Sequence, residues 1–175
     1  MHPSKDFVAE TKRRAEAGEA AAQVNLGLFY CFGKGVHRDQ VEAVRWFRRA
    51  AEQGDAQAQY NLGIAYDTGD GVGRDVREAF RWFLRAANQG HAEAQFNVGI
   101  CYGRGDGVAE DQVEFIKWMH LSAAGGYAKG VEVLDIARQQ YPQSLLTQAE
   151  RCASQWLPMA ELALDQQLRP GFRLD

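Results

Sequence analysis

The 175-residue chain is 46% hydrophobic and 25% charged, the composition of a soluble globular domain large enough to bury a core. A formal net charge of −3 and a pI near 5.8, with both signs mixed along the chain, argue against the broad basic footprint that nucleic acid requires. No run approaches the roughly 18 apolar residues of a membrane span, and MHPSKDFVAETKRR contains no apolar block, so the expectation is a cytoplasmic protein with no membrane partner.

Residues 4–17, SKDFVAETKRRAEA, follow Pro3 and stop before Gly18, with Ser4 placed to cap; the spacing predicts one helix. It aligns with the second half of each unit that follows, as a half-unit covering the open end of a stack. The stretch Asp39–Gly54 returns as Asp75–Gly90 and Asp111–Gly126 at an unvarying 36-residue step. That step defines full units at 19–54, 55–90 and 91–126, all within one domain spanning 1–175.

Each unit opens with an alanine-rich segment in which Ala22, Leu26 and Tyr30, then Ala58, Leu62 and Tyr66, then Ala94, Val98 and Tyr102, share one helical face. Gly27, Gly63 and Gly99 sit mid-helix, where glycine costs about 1 kcal/mol against alanine; a cost repeated in every unit calls for close approach of a neighbouring helix. Paired glycines follow in Gly33-Lys34-Gly35-Val36 and its two counterparts, as a sharp reversal requires. Asp39 with Glu42, Asp75 with Glu78 and Asp111 with Glu114 then resemble capping boxes that open a second helix. Along it Ala43, Trp46, Phe47, Ala50 and Ala51 form an apolar stripe that Ala79, Trp82, Phe83, Ala86 and Ala87 repeat. The third unit departs, with Phe115 for the alanine and Met119 for the phenylalanine, so its neighbours must give way.

Residues 127–157 form a degenerate fourth unit. Val131 and Leu134 can pack on the third while charge faces outward, as a terminal repeat must behave. Pro142 breaks the segment, and Thr147 with Glu150 marks the start of a replacement second helix over 147–157. Beyond Pro158, Met159–Leu168 reads as a short final helix before a frayed tail.

The elements Leu26-Gly27-x-x-Tyr30 and Ala43-x-x-x-Phe47 share the tetratricopeptide pattern, but the period is longer, Gln23 replaces the tryptophan, and a G-x-G-V turn intervenes. With A-x-A-Q, W-F and A-A-x-x-G, the chain is similar to the SEL-one-like repeat family, closely over 18–126 and loosely over 127–156. The resemblance implies an all-α fold, a right-handed superhelical solenoid of antiparallel helix pairs whose first helices line the concave side, serving as an adaptor for other proteins.

A second stripe on the first helices agrees with that implication. It includes Val24 and Leu28, then Gln57, Tyr60, Ile64 and Asp67, then Glu93, Phe96 and Ile100. Apolar and aromatic groups with acidic neighbours suit a peptide or helix ligand. Equally, the Val24–Tyr60–Phe96 and Leu28–Ile64–Ile100 columns can pack between adjacent units, as repeat cores do.

Reactive chemistry has little foothold. Asp67-Thr68-Gly69 matches an aspartic-protease tripeptide without a second carboxylate at the equivalent positions. His2, His37, His91 and His120 lack the spacing of a metal site, so no metal or cofactor is expected. Ser122 has no histidine placed to activate it. Cys31, Cys101 and Cys152 show no paired spacing and read as reduced residues. Cysteine-rich relatives with this repeat have been described as penicillin-binding or β-lactamase-like, so the resemblance carries amide hydrolysis as the alternative function. Those relatives pair cysteines in every unit and this chain does not. Self-association through Met159–Leu168 or the N-terminal half-unit is the remaining expectation for partners.

Overall fold

A computed structural model describes residues 3–156, and among them the chain is entirely helical between turns. The elements are α1 (Lys5–Glu16), α2 (Ala20–Phe32), α3 (Gln40–Glu52), α4 (Ala56–Thr68), α5 (Val76–Ala87), α6 (Ala92–Arg104), α7 (Gln112–Ala124), α8 (Ala128–Gln140) and α9 (Gln143–Ser154). Helices α2 and α3, α4 and α5, and α6 and α7 pair, and each pair packs on the next, giving a helical repeat solenoid. Ser4 caps α1 by accepting from the Phe7 N–H. The expected Met159–Leu168 helix lies outside the described residues.

The mid-helix glycines are where the two helices of a unit touch. A Cβ on Gly27 would come within 2.5 Å of the Phe47 ring, one on Gly63 within 2.5 Å of the Phe83 ring, and one on Gly99 within 2.4 Å of the Met119 methyl. The helix-propensity cost of glycine therefore secures a large side chain, aromatic in the first two units and Met119 in the third, packed on bare main chain.

In the third unit the added bulk of Phe115 is absorbed by Gly103, where a Cβ would lie 3.1 Å from the ring. Cys31 and Asp67 hold that position in the earlier units, opposite the smaller Ala43 and Ala79. Ser122, an alanine elsewhere, is matched in the same way by Gly130, another alanine elsewhere.

The capping boxes form only by half. The Asp39, Asp75 and Asp111 carboxylates each accept two N–H groups of the following turn. The glutamates do not reach back, because the Asp39, Asp75 and Asp111 N–H groups are already donated to the carbonyls of Tyr30, Tyr66 and Tyr102 across the turn. Glu42, Glu78 and Glu114 instead pair with Arg45, Arg81 and Lys117.

Thr147 does not start a helix either. Helix α9 begins at Gln143 with Pro142 as its cap residue, since proline's fixed φ and missing N–H suit a helix entrance. Only Tyr141 and Pro142 separate α8 from α9, too short a link to reproduce the glycine turn. Consequently α9 lies along α7, and side chains of α7, α8 and α9 share one cluster around Ile116, Met119, Leu134 and Leu146.

Between units runs a ladder of buried glutamines whose role is not apparent from periodicity. Gln23, Gln59 and Gln95 donate to the carbonyls of Ala15, Ala51 and Ala87 at the end of the preceding helix. Gln53 and Gln89 then donate to the Gln23 and Gln59 side-chain oxygens, at 2.8 Å each. The third unit has Gly125 at that position, with Ala92 too close for a side chain, and the Gln95 Oε1 has no partner among the described residues. Gln59→Leu should therefore lower stability by about 1–2 kcal/mol, while Gln95→Leu, which also removes an unsatisfied buried acceptor, should be near neutral. Urea unfolding of the two variants measures the difference.

Candidate interaction face

The side chains left accessible on the first helices recur at one spacing. On α2 they are Ala21, Asn25, Leu28 and Phe32; on α4, Gln57, Asn61, Ile64 and Thr68; on α6, Glu93, Asn97, Ile100 and Arg104, each half-buried or exposed. The offsets i, i+4, i+7 and i+11 make one helical face. The stripe expected from sequence overlaps this face but is rotated by about one residue.

Val24 shows why. It is 7% exposed and belongs to the core between the first and second units with Val44, Phe47 and Leu62. Tyr60 is half-buried, stacked on the His91 ring at 4.7 Å and tilted against Phe83 at 6.0 Å. Phe96 meets Tyr127 edge-on at 5.3 Å. The Val24–Tyr60–Phe96 column thus faces the following unit. Its residues are packing residues first, and a ligand surface at most along their edges.

The neighbouring column stays open. Leu28 and Ile100 are half-buried, Ile64 is 36% exposed, and Ile136 of α8, one step further, is 52% exposed. Gln57 and Asp67 are exposed beside it, and Glu93 is half-buried with a carboxylate oxygen 3.4 Å from His91 Nδ1. The parallel column of Asn25, Asn61 and Asn97 adds amides, although the Asn61 Nδ2 itself is buried and has no partner among the described residues. Both columns recur at the same step as the tryptophans, a signal available in the sequence had the face been extended by one position.

Two clefts open on this face. One, of about 220 Å³, is lined by Asp67, Phe83, Asn97, Ile100, Arg104 and Asp106 among others. The second, of about 190 Å³, is lined by Ile100, Gly103, Arg104, Gln112, Phe115 and Tyr141. Cys101 sits at the floor of the first, and burial, helped by Asp106 and Asp67, pushes its thiol up to about 12. A shift in that direction disfavours the thiolate, the nucleophilic form.

Ser122 is fully buried, and its hydroxyl donates to the Ala92 carbonyl at 2.8 Å. All three cysteines are free. Among the described residues no cluster of His, Cys, Asp or Glu could hold a metal ion, and no helix is long and apolar enough to cross a membrane.

His91 adds a pH dependence. Its Nδ1 accepts the Ala94 N–H as the cap of α6, and its Nε2 faces the Gln57 side-chain oxygen at 3.3 Å. Burial lowers its pKa against the opposing pull of Glu93 and Asp55. The folded chain thus takes up this proton less readily than the unfolded one. Its contribution is full above the ordinary imidazole range and is lost as pH falls through about 6.5 towards the depressed folded value. Burial depresses His120 in the same direction. His91→Asn, which keeps a capping side chain, should flatten but not abolish the fall in thermal midpoint between about pH 7 and 5.

The Sel1 repeat profile matches residues 20–55, 56–91 and 92–127, one residue later than the units drawn from periodicity. Among solved structures, a protective antigen present in uropathogenic Escherichia coli strains, described as displaying an SLR fold, is 32% identical over 99% of this chain, with a TM-score of 0.81. The present chain spans only 38% of that protein. A Sel1 repeat protein from Oxalobacter formigenes is 38% identical, with 73% of this chain and 96% of that one covered and a TM-score of 0.68. No curated protein matches the chain.

Proposed function

Because the chain belongs to the Sel1 repeat family, whose members generally serve as protein–protein interaction scaffolds, we propose that it is a non-catalytic adaptor holding a peptide or protein segment along the concave face of its first helices. The observation that carries this reading is the open column of Leu28, Ile64, Ile100 and Ile136, aliphatic in every unit yet left accessible, with Ile64 and Ile136 the most exposed. A surface aliphatic scattered singly needs no explanation. One repeated in register down a stack forms a continuous apolar strip that a bound segment would cover. The adjoining asparagines Asn25, Asn61 and Asn97 carry amides that can pair with a segment's main chain. The proposal includes a cytoplasmic location, in which the three thiols stay reduced.

The test uses Ile64→Glu, with Arg45→Ala on the solvent side of α3 as control. Both sites are exposed, so both variants should keep their stability to within about 0.5 kcal/mol. Proteins that co-purify with the wild-type chain from its own cells should be lost with Ile64→Glu and kept with Arg45→Ala. Retention by Ile64→Glu would contradict the reading.

A further inference from the structure

The two clefts on α6 adjoin, sharing Ile100 and Arg104. They differ in character. The first has the apolar side chains of Phe83 and Ile100 together with the carboxylates of Asp67 and Asp106. The second is walled by the rings of Phe115 and Tyr141, which lie 6.2 Å apart.

Among the described residues neither Asp67 nor Asp106 takes part in an ion pair. Two cations line the same cleft: Arg74, whose Nε donates to the Asp67 main-chain carbonyl at 2.7 Å, and Arg104, on the boundary between the clefts. Arg74 is thus engaged by a carbonyl, whereas the Asp67 and Asp106 carboxylates have no hydrogen-bond or ion-pair partner among the described residues and share the cleft with the apolar Phe83 and Ile100.

The combination occurs at one place in the repeat. One unit earlier, the positions of Asp67, Asp106 and Phe115 hold Cys31, Asp70 and Ala79.

From this pairing we infer a specificity for the bound segment: a lysine or arginine enters the cleft between Asp67 and Asp106, and a bulky apolar residue within two positions of it enters the cleft walled by Phe115 and Tyr141. The long basic side chain lays its methylenes on Phe83 and Ile100 and brings its charge to the carboxylates. An extended segment advances about 3.3 Å per residue, so neighbouring or next-but-one side chains can reach adjoining clefts. Because the residue combination is not repeated one step earlier, the pair of clefts also sets the register of a segment that the repeating aliphatic column alone would let slide. This inference rests on the scaffold reading and specifies its ligand.

The test is fluorescence anisotropy with short labelled peptides in a glycine–serine frame. They carry Lys, Arg or Glu at one position and Leu, Phe or Ser one or two positions away, in both orders. Basic–apolar peptides should bind roughly tenfold or more tightly than their acidic or serine counterparts, and added salt should weaken them. The double variant D67N/D106K should remove the preference for a basic residue. Lys34 occupies the position of Asp106 in the first unit, so the turn accepts lysine, and a thermal midpoint confirms folding. Phe115→Ala should remove the preference for Leu or Phe while leaving the charge preference.

A preference for glutamate peptides that disappears in Arg104→Ala would overturn the inference in favour of an anion site. Binding without charge preference, yet abolished by Ile64→Glu, would overturn it while sparing the scaffold reading. Absence of binding by every peptide would also overturn it, and the scaffold reading would then stand or fall on the co-purification result.

Discussion

Replacing Phe83 by alanine should lower the unfolding free energy by about 3–5 kcal/mol, the range for truncating a buried aromatic, and should invert the effect of a second substitution at Gly63. Phe83 is 3% exposed, and its ring lies against bare main chain, 2.5 Å from where a Gly63 Cβ would be. With the ring in place, Gly63→Ala gains about 1 kcal/mol of helix propensity but forces an overlap that a packed ring cannot escape, at a cost of about 1–3 kcal/mol. It should be neutral to destabilising. With the ring gone, the same substitution should stabilise by about 1 kcal/mol. The sign change in a double-mutant cycle, read from urea unfolding, isolates the contact. At Gly99 the nearest group is the flexible end of Met119, so Gly99→Ala should cost less than Gly63→Ala. Additive effects at Gly63 and Phe83 would mean that the ring does not hold the two helices at this distance.

The turn glycines give the second large effect, and a graded one. Gly69 and Gly71 both have positive φ, 84° and 74°, but only Gly71 lies against another unit: a Cβ there would fall 2.2 Å from the Gln40 carbonyl oxygen. A main-chain atom cannot rotate away. Gly71→Ala should therefore cost about 3–4 kcal/mol, combining left-handed strain with separation of the first and second units. Gly69→Ala should cost only the strain, about 1–2 kcal/mol. Gly73 has neither constraint, and its alanine variant should stay within about 0.5 kcal/mol of wild type. Gly107 repeats the arrangement against the Val76 carbonyl at 2.4 Å, so Gly107→Ala should match Gly71→Ala. Equal losses at Gly69 and Gly71 would show that the second glycine serves the turn alone and sets no spacing between units.

Much of this architecture is legible from periodicity because each unit solves the same packing problem with the same residue types. The buried columns through Leu26, Leu62 and Val98, the aromatics over glycine and the aspartate caps all follow from residues whose local chemistry admits one use. What failed depended on partners distant in the chain. Glu42 is well placed for a capping box, but the Asp39 N–H it would take is already donated to Tyr30. Thr147 and Glu150 have capping spacing, yet Pro142 starts the helix earlier.

The accessible face proposed for binding was harder for a related reason. Val24, Tyr60 and Phe96 lie near the boundary between buried and accessible arcs, and whether such a position is covered depends on how closely the next unit approaches. His91 and Tyr127 close that boundary. The second cleft was not legible, since it arises where Gly103, Phe115 and Tyr141 depart from the repeat together, and Tyr141 sits on the link between α8 and α9.

The most direct test of the scaffold account is site-specific photo-crosslinking in the native cell, with benzoylphenylalanine placed at Ile64 or Arg104 on the first-helix face and at Arg45 or Arg81 on the solvent side of α3 and α5. All four positions are exposed apart from their local pairings. Discrete polypeptide adducts should form from 64 and 104 and be absent from 45 and 81. Adducts confined to 45 and 81, or no adduct from any of the four, would contradict it.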